Sequence, residues 1–143
     1  LKILFVDDDP ENVETVARIL RDAYSDDPSA EVRVVMTVED AILAVHHTPF
    51  DLVVTDLFIP LGPERGALGP RARRYAEQLE HLGGLVLIDE IDRLANPPIL
   101  LVHTACTDHI IIELLGQRVS ARVPKPAPTE VLLDAILRGL REG

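Results

Sequence analysis

Short apolar runs alternate along this chain with stretches whose apolar positions recur every three or four residues. The runs at residues 2–6, 31–36, 51–55, 99–103 and 119–123 read as strands. The stretches between them read as helices. Val13, Val16, Ala17 and Leu20 make one buried face after Pro10, which suits a first helical turn. Thr37-Val38-Glu39-Asp40 offers a capping hydroxyl with an acid three residues on, opening a helix through Ala41, Leu43, Ala44 and Val45 that Thr48-Pro49 ends. Leu85, Ile88, Ile91 and Leu94 mark a further helix, residues 108–115 another with Gly116 as its stop, and residues 128–140 a closing amphipathic helix.

Strand–helix alternation of this kind predicts an α/β domain in which right-handed crossovers build a doubly wound, five-stranded parallel sheet. The run at 51–55 is almost unbroken in apolar character, as expected of a central strand covered on both faces. In such sheets ligands bind beyond the carboxyl ends of the strands. The chain puts its chemistry there: Asp7 and Asp8 follow the first run, Asp56 the third, Thr104 the fourth and Lys125 the fifth. Clustered carboxylates at strand tips repel one another and lose hydration, a cost that a hard cation or a reaction would offset.

Composition narrows the picture. A chain of 143 residues with 47% hydrophobic and 27% charged content suits one domain, 1–143, with a real core. Its formal net charge of −10 argues against nucleic acid as a direct partner. Cys106 is the only cysteine and forms no internal disulfide, and no signal peptide or membrane span is evident, so a soluble cytoplasmic protein is expected. The first residue is Leu1 rather than methionine, consistent with a part of something longer.

In order and spacing these residues resemble the receiver domain of two-component response regulators. The resemblance covers nearly the whole chain and is carried by Asp7-Asp8, by Asp56 with Pro60 after it, by Thr104-Ala105 and by Lys125-Pro126. It implies the flavodoxin-like receiver fold with strand order 2-1-3-4-5. It implies further that Asp56 takes a phosphoryl group from a histidine kinase or phosphotransfer protein, with Mg²⁺ bound by Asp8, Asp56, the Phe58 backbone carbonyl and, through water, Asp7. Lys125 and Thr104 would contact the phosphoryl oxygens, and Thr104 would shift an inactive–active equilibrium that changes a surface for a downstream protein. The chain would then be no conventional enzyme, though self-phosphorylation and autodephosphorylation at Asp56 are expected. A homodimer through the fourth helix is implied by analogy alone. The alternative is a receiver that acts as an adaptor without phosphorylation.

Two departures stand out. The family usually has an aromatic switch residue three positions before its lysine, whereas this chain has Arg122 there, with Pro124 next to Lys125. Gly84, in the place of the family's helix-opening glycine, lies 84 − 56 = 28 residues beyond Asp56, which implies an insert at about 61–83. That insert carries Arg65, Arg71, Arg73 and Arg74, and residues 71–82 read as a short charged helix. It is read either as a lid or docking surface or as a solvated decoration packed through Tyr75, Leu79 and Leu82.

Other signals take plainer readings. Leu85-Val86-Leu87-Ile88-Asp89-Glu90 looks like a Walker B strand, but no phosphate-binding loop accompanies it and a helix accounts for the spacing. His46 and His47 suit a solvated helix end, His81, His103 and His109 lack metal-ligand spacing, and Cys106 reads as a bystander. Asp9 is expected to cap the first helix.

Overall fold

The computed structural model describes residues 1–59 and 83–142. Their elements run β1 (Lys2–Val6), α1 (Glu11–Ala23), β2 (Glu31–Val35), α2 (Val38–His47), β3 (Leu52–Thr55), α3 (Gly83–Asp92), β4 (Ile99–Thr104), α4 (His109–Leu115), β5 (Ala121–Pro124) and α5 (Thr129–Glu142). The five strands form one parallel sheet in the order β2-β1-β3-β4-β5. This is the doubly wound, flavodoxin-like order expected from the strand–helix alternation and the family resemblance.

Alternation along the strands divides the core in two. Leu4, Val6, Val53, Leu100 and Val102 face one side, where they pack with Val38, Ala41, Ile42 and Val45 of α2 and Val86, Leu87 and Ile91 of α3. Ile3, Phe5, Leu52, Val54, Leu101 and Val123 face the other, against Val13, Val16, Ala17 and Leu20 of α1 and Leu132 and Ile136 of α5. All four residues of β3 are buried, as its unbroken apolar run requires.

The local signals held where backbone chemistry is strongest. Thr37 is the N-cap of α2, its hydroxyl accepting from the Asp40 N–H at 3.1 Å. Asp108 caps α4 by accepting from the Ile110 N–H at 2.9 Å. Asp9 does not cap α1: Pro10 holds that position without a side-chain cap bond. The reason is that Asp7 organises the turn instead, its Oδ1 accepting the Asp9 N–H at 2.9 Å. β5 begins two residues later than the apolar run suggests, because a 3₁₀ turn at Gly116–Arg118 follows α4, with Gly116 at φ 50°. Pro124 ends β5 at the sheet edge, where a missing backbone donor costs least. Leu85–Asp92 is helical, which removes the Walker B strand.

The charged helix and the surface expected at residues 61–83 lie outside the described residues, apart from Gly83, which opens α3. The flanks of that stretch are in contact. The Gly84 N–H donates to the Leu57 carbonyl at 3.0 Å, and a Cβ on Gly83 would overlap the Ile59 carbonyl oxygen. A Cβ on Gly84 would overlap the Asp56 carbonyl oxygen and Leu57 Cα. The two glycines therefore let α3 start directly against the backbone that follows β3.

Candidate functional site at the carboxyl edge of the sheet

Three residues of the predicted site extend the sheet ladder by one step. The Asp7 N–H donates to the Val35 carbonyl, the Asp56 N–H to the Val6 carbonyl and the Lys125 N–H to the Thr104 carbonyl, each at 3.0 Å. Their backbones are thus clamped to neighbouring strands before any side chain interacts. That clamping brings residues distant in sequence to one point.

The side chains converge there. Lys125 Nζ donates to Asp7 Oδ2 at 2.7 Å and to Asp56 Oδ2 at 2.8 Å. Carboxylate oxygens of Asp7, Asp8 and Asp56 all lie within 4.8 Å of one another. Asp7 and Asp56 are buried, whereas Asp8 is exposed at the mouth. Burial works against the Lys125 charge, but hydrogen bonds to Asp56 and Asp7 and their negative charges outweigh it, raising its pKa above the ordinary 10.5. The ammonium is firmly cationic and balances part of the acid cluster.

Around this centre, Asp56 Oδ1 accepts from the Phe58 N–H at 3.2 Å, and Asp7 Oδ1 is approached by Asn12 Nδ2 at 3.5 Å. Phe58 is 42% exposed, and its backbone N–H is what it offers to the site. Thr104 is buried at the end of β4, its Oγ1 accepting from the Cys106 N–H at 3.2 Å. That bond leaves the hydroxyl hydrogen free to donate elsewhere. Arg122 is exposed on β5, apart from the acid cluster.

A donor set of three carboxylates suits a hard divalent cation such as Mg²⁺, which prefers a few carboxylates plus water and phosphate oxygens to a complete protein cage. The residues present fit that ion. A cavity of about 520 Å³ lies at the opposite edge of the sheet, lined by Leu1, Tyr24, Phe50, Asp51 and Pro97 among others. Its one acid, Asp51, is engaged by the Lys2 backbone N–H at 2.7 Å, so the concentrated charge lies at the carboxyl edge.

One neighbour was passed over in the sequence. His103, read there as a strand residue without metal-ligand spacing, is buried beside the cluster, and burial followed by the Lys125 charge pushes its pKa below 6.5. The available signal was a polar side chain inside the apolar run of β4, two residues after Leu101 and so on the same face. His46 and His47 are exposed at the end of α2, as expected. Among the described residues no helix is long and apolar enough to cross a membrane.

Solved structures share this architecture. A CheY-like response regulator receiver domain protein from Methanospirillum hungatei JF-1 aligns with a TM-score of 0.72 at 19% identity, over 99% of this chain and 94% of that one. The receiver domain of Francisella response regulator 1452 aligns with a TM-score of 0.65 at 15% identity, over 99% and 97%. A DNA-binding response regulator of the LuxR family from Staphylococcus aureus gives 0.70 at 14% identity, over 97% and 98%. No protein-family model matches the chain, and no curated protein matches it significantly. From its strand order to its carboxyl-edge acids, the chain has the fold of a response regulator receiver domain.

Proposed function

We propose that this chain accepts a phosphoryl group on Asp56 and relays a signal by switching a protein-binding surface. The observation that carries the reading is the Lys125 ammonium shared between Asp7 and Asp56 within a cluster that Asp8 completes. Lone surface acids acting as helix caps need no buried cation between them. Here the cation and two of the acids are held below the surface at the edge where this sheet class binds ligands.

In this reading an Asp56 oxygen attacks the phosphorus of a phosphohistidine on a kinase or phosphotransfer protein. The P–O bond forms as the P–N bond breaks, and the imidazole leaves, producing an acyl phosphate. Lys125 places its positive charge against the phosphoryl oxygens, and the Thr104 hydroxyl donates to one of them. Mg²⁺ held by Asp8, Asp56, the Phe58 carbonyl and, through water, Asp7 would supply neutralisation of phosphoryl charge. The Thr104 hydroxyl can donate to a phosphoryl oxygen while still accepting from the Cys106 N–H, so a shift of Thr104 toward a loaded site carries the loop after β4 with it. Movement of that loop is the route to the outer face of α4, β5 and α5 and to a downstream protein. Arg122 replaces the usual aromatic on that route. The setting would be the cytoplasm, where such kinases deliver phosphate.

Phosphotransfer assays on the wild type and Asp56→Asn, each with and without Mg²⁺, test the reading. Label on the wild type that requires Mg²⁺ and vanishes in the variant is expected. An unlabelled wild type would support an adaptor that works without phosphorylation.

A further inference from the structure

Beside the acid cluster sits a buried side chain to which the mechanism above gives no part. His103 is 5% exposed, and its Nδ1 is buried without a hydrogen-bond partner among the described residues. Leaving such an atom unpaired forfeits its hydration without return, and few buried polar atoms in folded proteins are left that way. A leucine, as at Leu101 two residues earlier, would avoid that cost entirely.

The register says what His103 is next to. Thr55 pairs with Val102, so Asp56 and His103 follow side by side on adjacent strands. Val54, Leu101 and Val123 share one face of the sheet, and Asp56, His103 and Lys125 each come two residues later. His103 also pairs directly with Val123 in the ladder. His103 thus lies in the strand between those that carry Asp56 and Lys125, on the same face as both. Burial and the nearby ammonium keep it neutral at ordinary pH, which leaves one ring nitrogen as an acceptor.

Lys125 has three ammonium protons, and two are taken by Asp7 and Asp56. We propose that His103 is a positioning residue for Lys125, its unpaired Nδ1 held in reserve to accept from the ammonium when Asp7 and Asp56 give up their oxygens to a loaded site. The inference rests on the phosphoryl-acceptor reading. It explains why β4 keeps an unsatisfied imidazole where an apolar side chain would pack at no such cost. The unpaired nitrogen is an expense of the resting state that the loaded state recovers.

Two variants test it: His103→Leu, which removes the acceptor, and His103→Asn, which places an amide oxygen near the position of Nδ1. Thermal melts of the metal-free, unphosphorylated chains are read beside the rate of labelling by acetyl phosphate with Mg²⁺. His103→Leu is expected to melt at or above the wild-type temperature yet take label about fivefold more slowly, the equivalent of one ordinary net hydrogen bond. His103→Asn is expected to recover most of the wild-type rate. A His103→Leu chain that labels at the wild-type rate, or that melts lower, would overturn the proposal, as would a His103→Asn chain as slow as the leucine variant. Wild-type chain that takes no label at all would instead overturn the acceptor reading on which the proposal stands.

Discussion

Lys125 Nζ lies 2.8 Å from Asp56 Oδ2, tying the end of the outermost strand to the end of the central one across 69 residues of sequence. Both side chains are largely buried, so the pair is coupled strongly to folding as well as to chemistry. Replacing Lys125 with methionine leaves Asp7 and Asp56 facing each other without a counter-charge. A loss of about 3 kcal/mol is expected at neutral pH, read from urea midpoints. A Lys125→Met chain as stable as the wild type at neutral pH would show that the bridge does not balance these acids.

Gly84 offers a steric test. A Cβ there would overlap backbone atoms of Asp56 and Leu57, neither of which can rotate away. Gly84→Ala is expected to cost about 1–3 kcal/mol and to slow labelling of Asp56, because the strain falls on the acceptor's own backbone. Ala at Gly116, where nothing lies within 4 Å but φ is 50°, separates crowding from backbone strain. Its cost should be seen in stability alone, with labelling unchanged.

Ile59 and Gly83, the described residues on either side of 60–82, pack against each other. A link of about four flexible residues between Ile59 and Gly83 is expected to join these neighbours and leave a cooperative urea unfolding transition. A chain that fails to fold would show that the stretch contributes to the core.

Two groups set the pH dependence in opposite ranges. His103 has a depressed pKa in the folded chain, so below 6.5 the unfolded chain binds a proton that the folded one refuses. Stability therefore falls as pH drops from 6.5 toward the folded value, and His103→Leu should flatten that part of the curve relative to the wild type. Lys125 has a raised pKa, so its contribution is complete below 10.5 and is lost only as pH climbs through the higher folded value. Equal slopes for wild type and His103→Leu below pH 6.5 would contradict the first assignment.

Much of this was legible because it is local or periodic. Val13, Val16, Ala17 and Leu20 repeat with the helix, and all four are buried on α1. Thr37 reads as a cap from its own spacing to Asp40, and it is one. The convergence of Asp7, Asp56 and Lys125 followed from the sheet rule that gathers strand ends at one edge. What was not legible depends on side chains competing in space. Asp9 looked like the cap of α1 because sequence cannot show that Asp7 Oδ1 takes the Asp9 N–H. His103 was given no role in the site because its neighbours Asp56 and Lys125 are adjacent only through the sheet, not along the chain.

The central claim is that Asp56 is a phosphoryl acceptor served by Lys125. It is tested most directly by peptide mapping of the chain after incubation with acetyl phosphate and Mg²⁺, with the acyl phosphate trapped by borohydride reduction. The account predicts reduction confined to Asp56, absent without Mg²⁺ and strongly diminished in Lys125→Met. Trapping at another residue, or none in the wild-type chain, would contradict it.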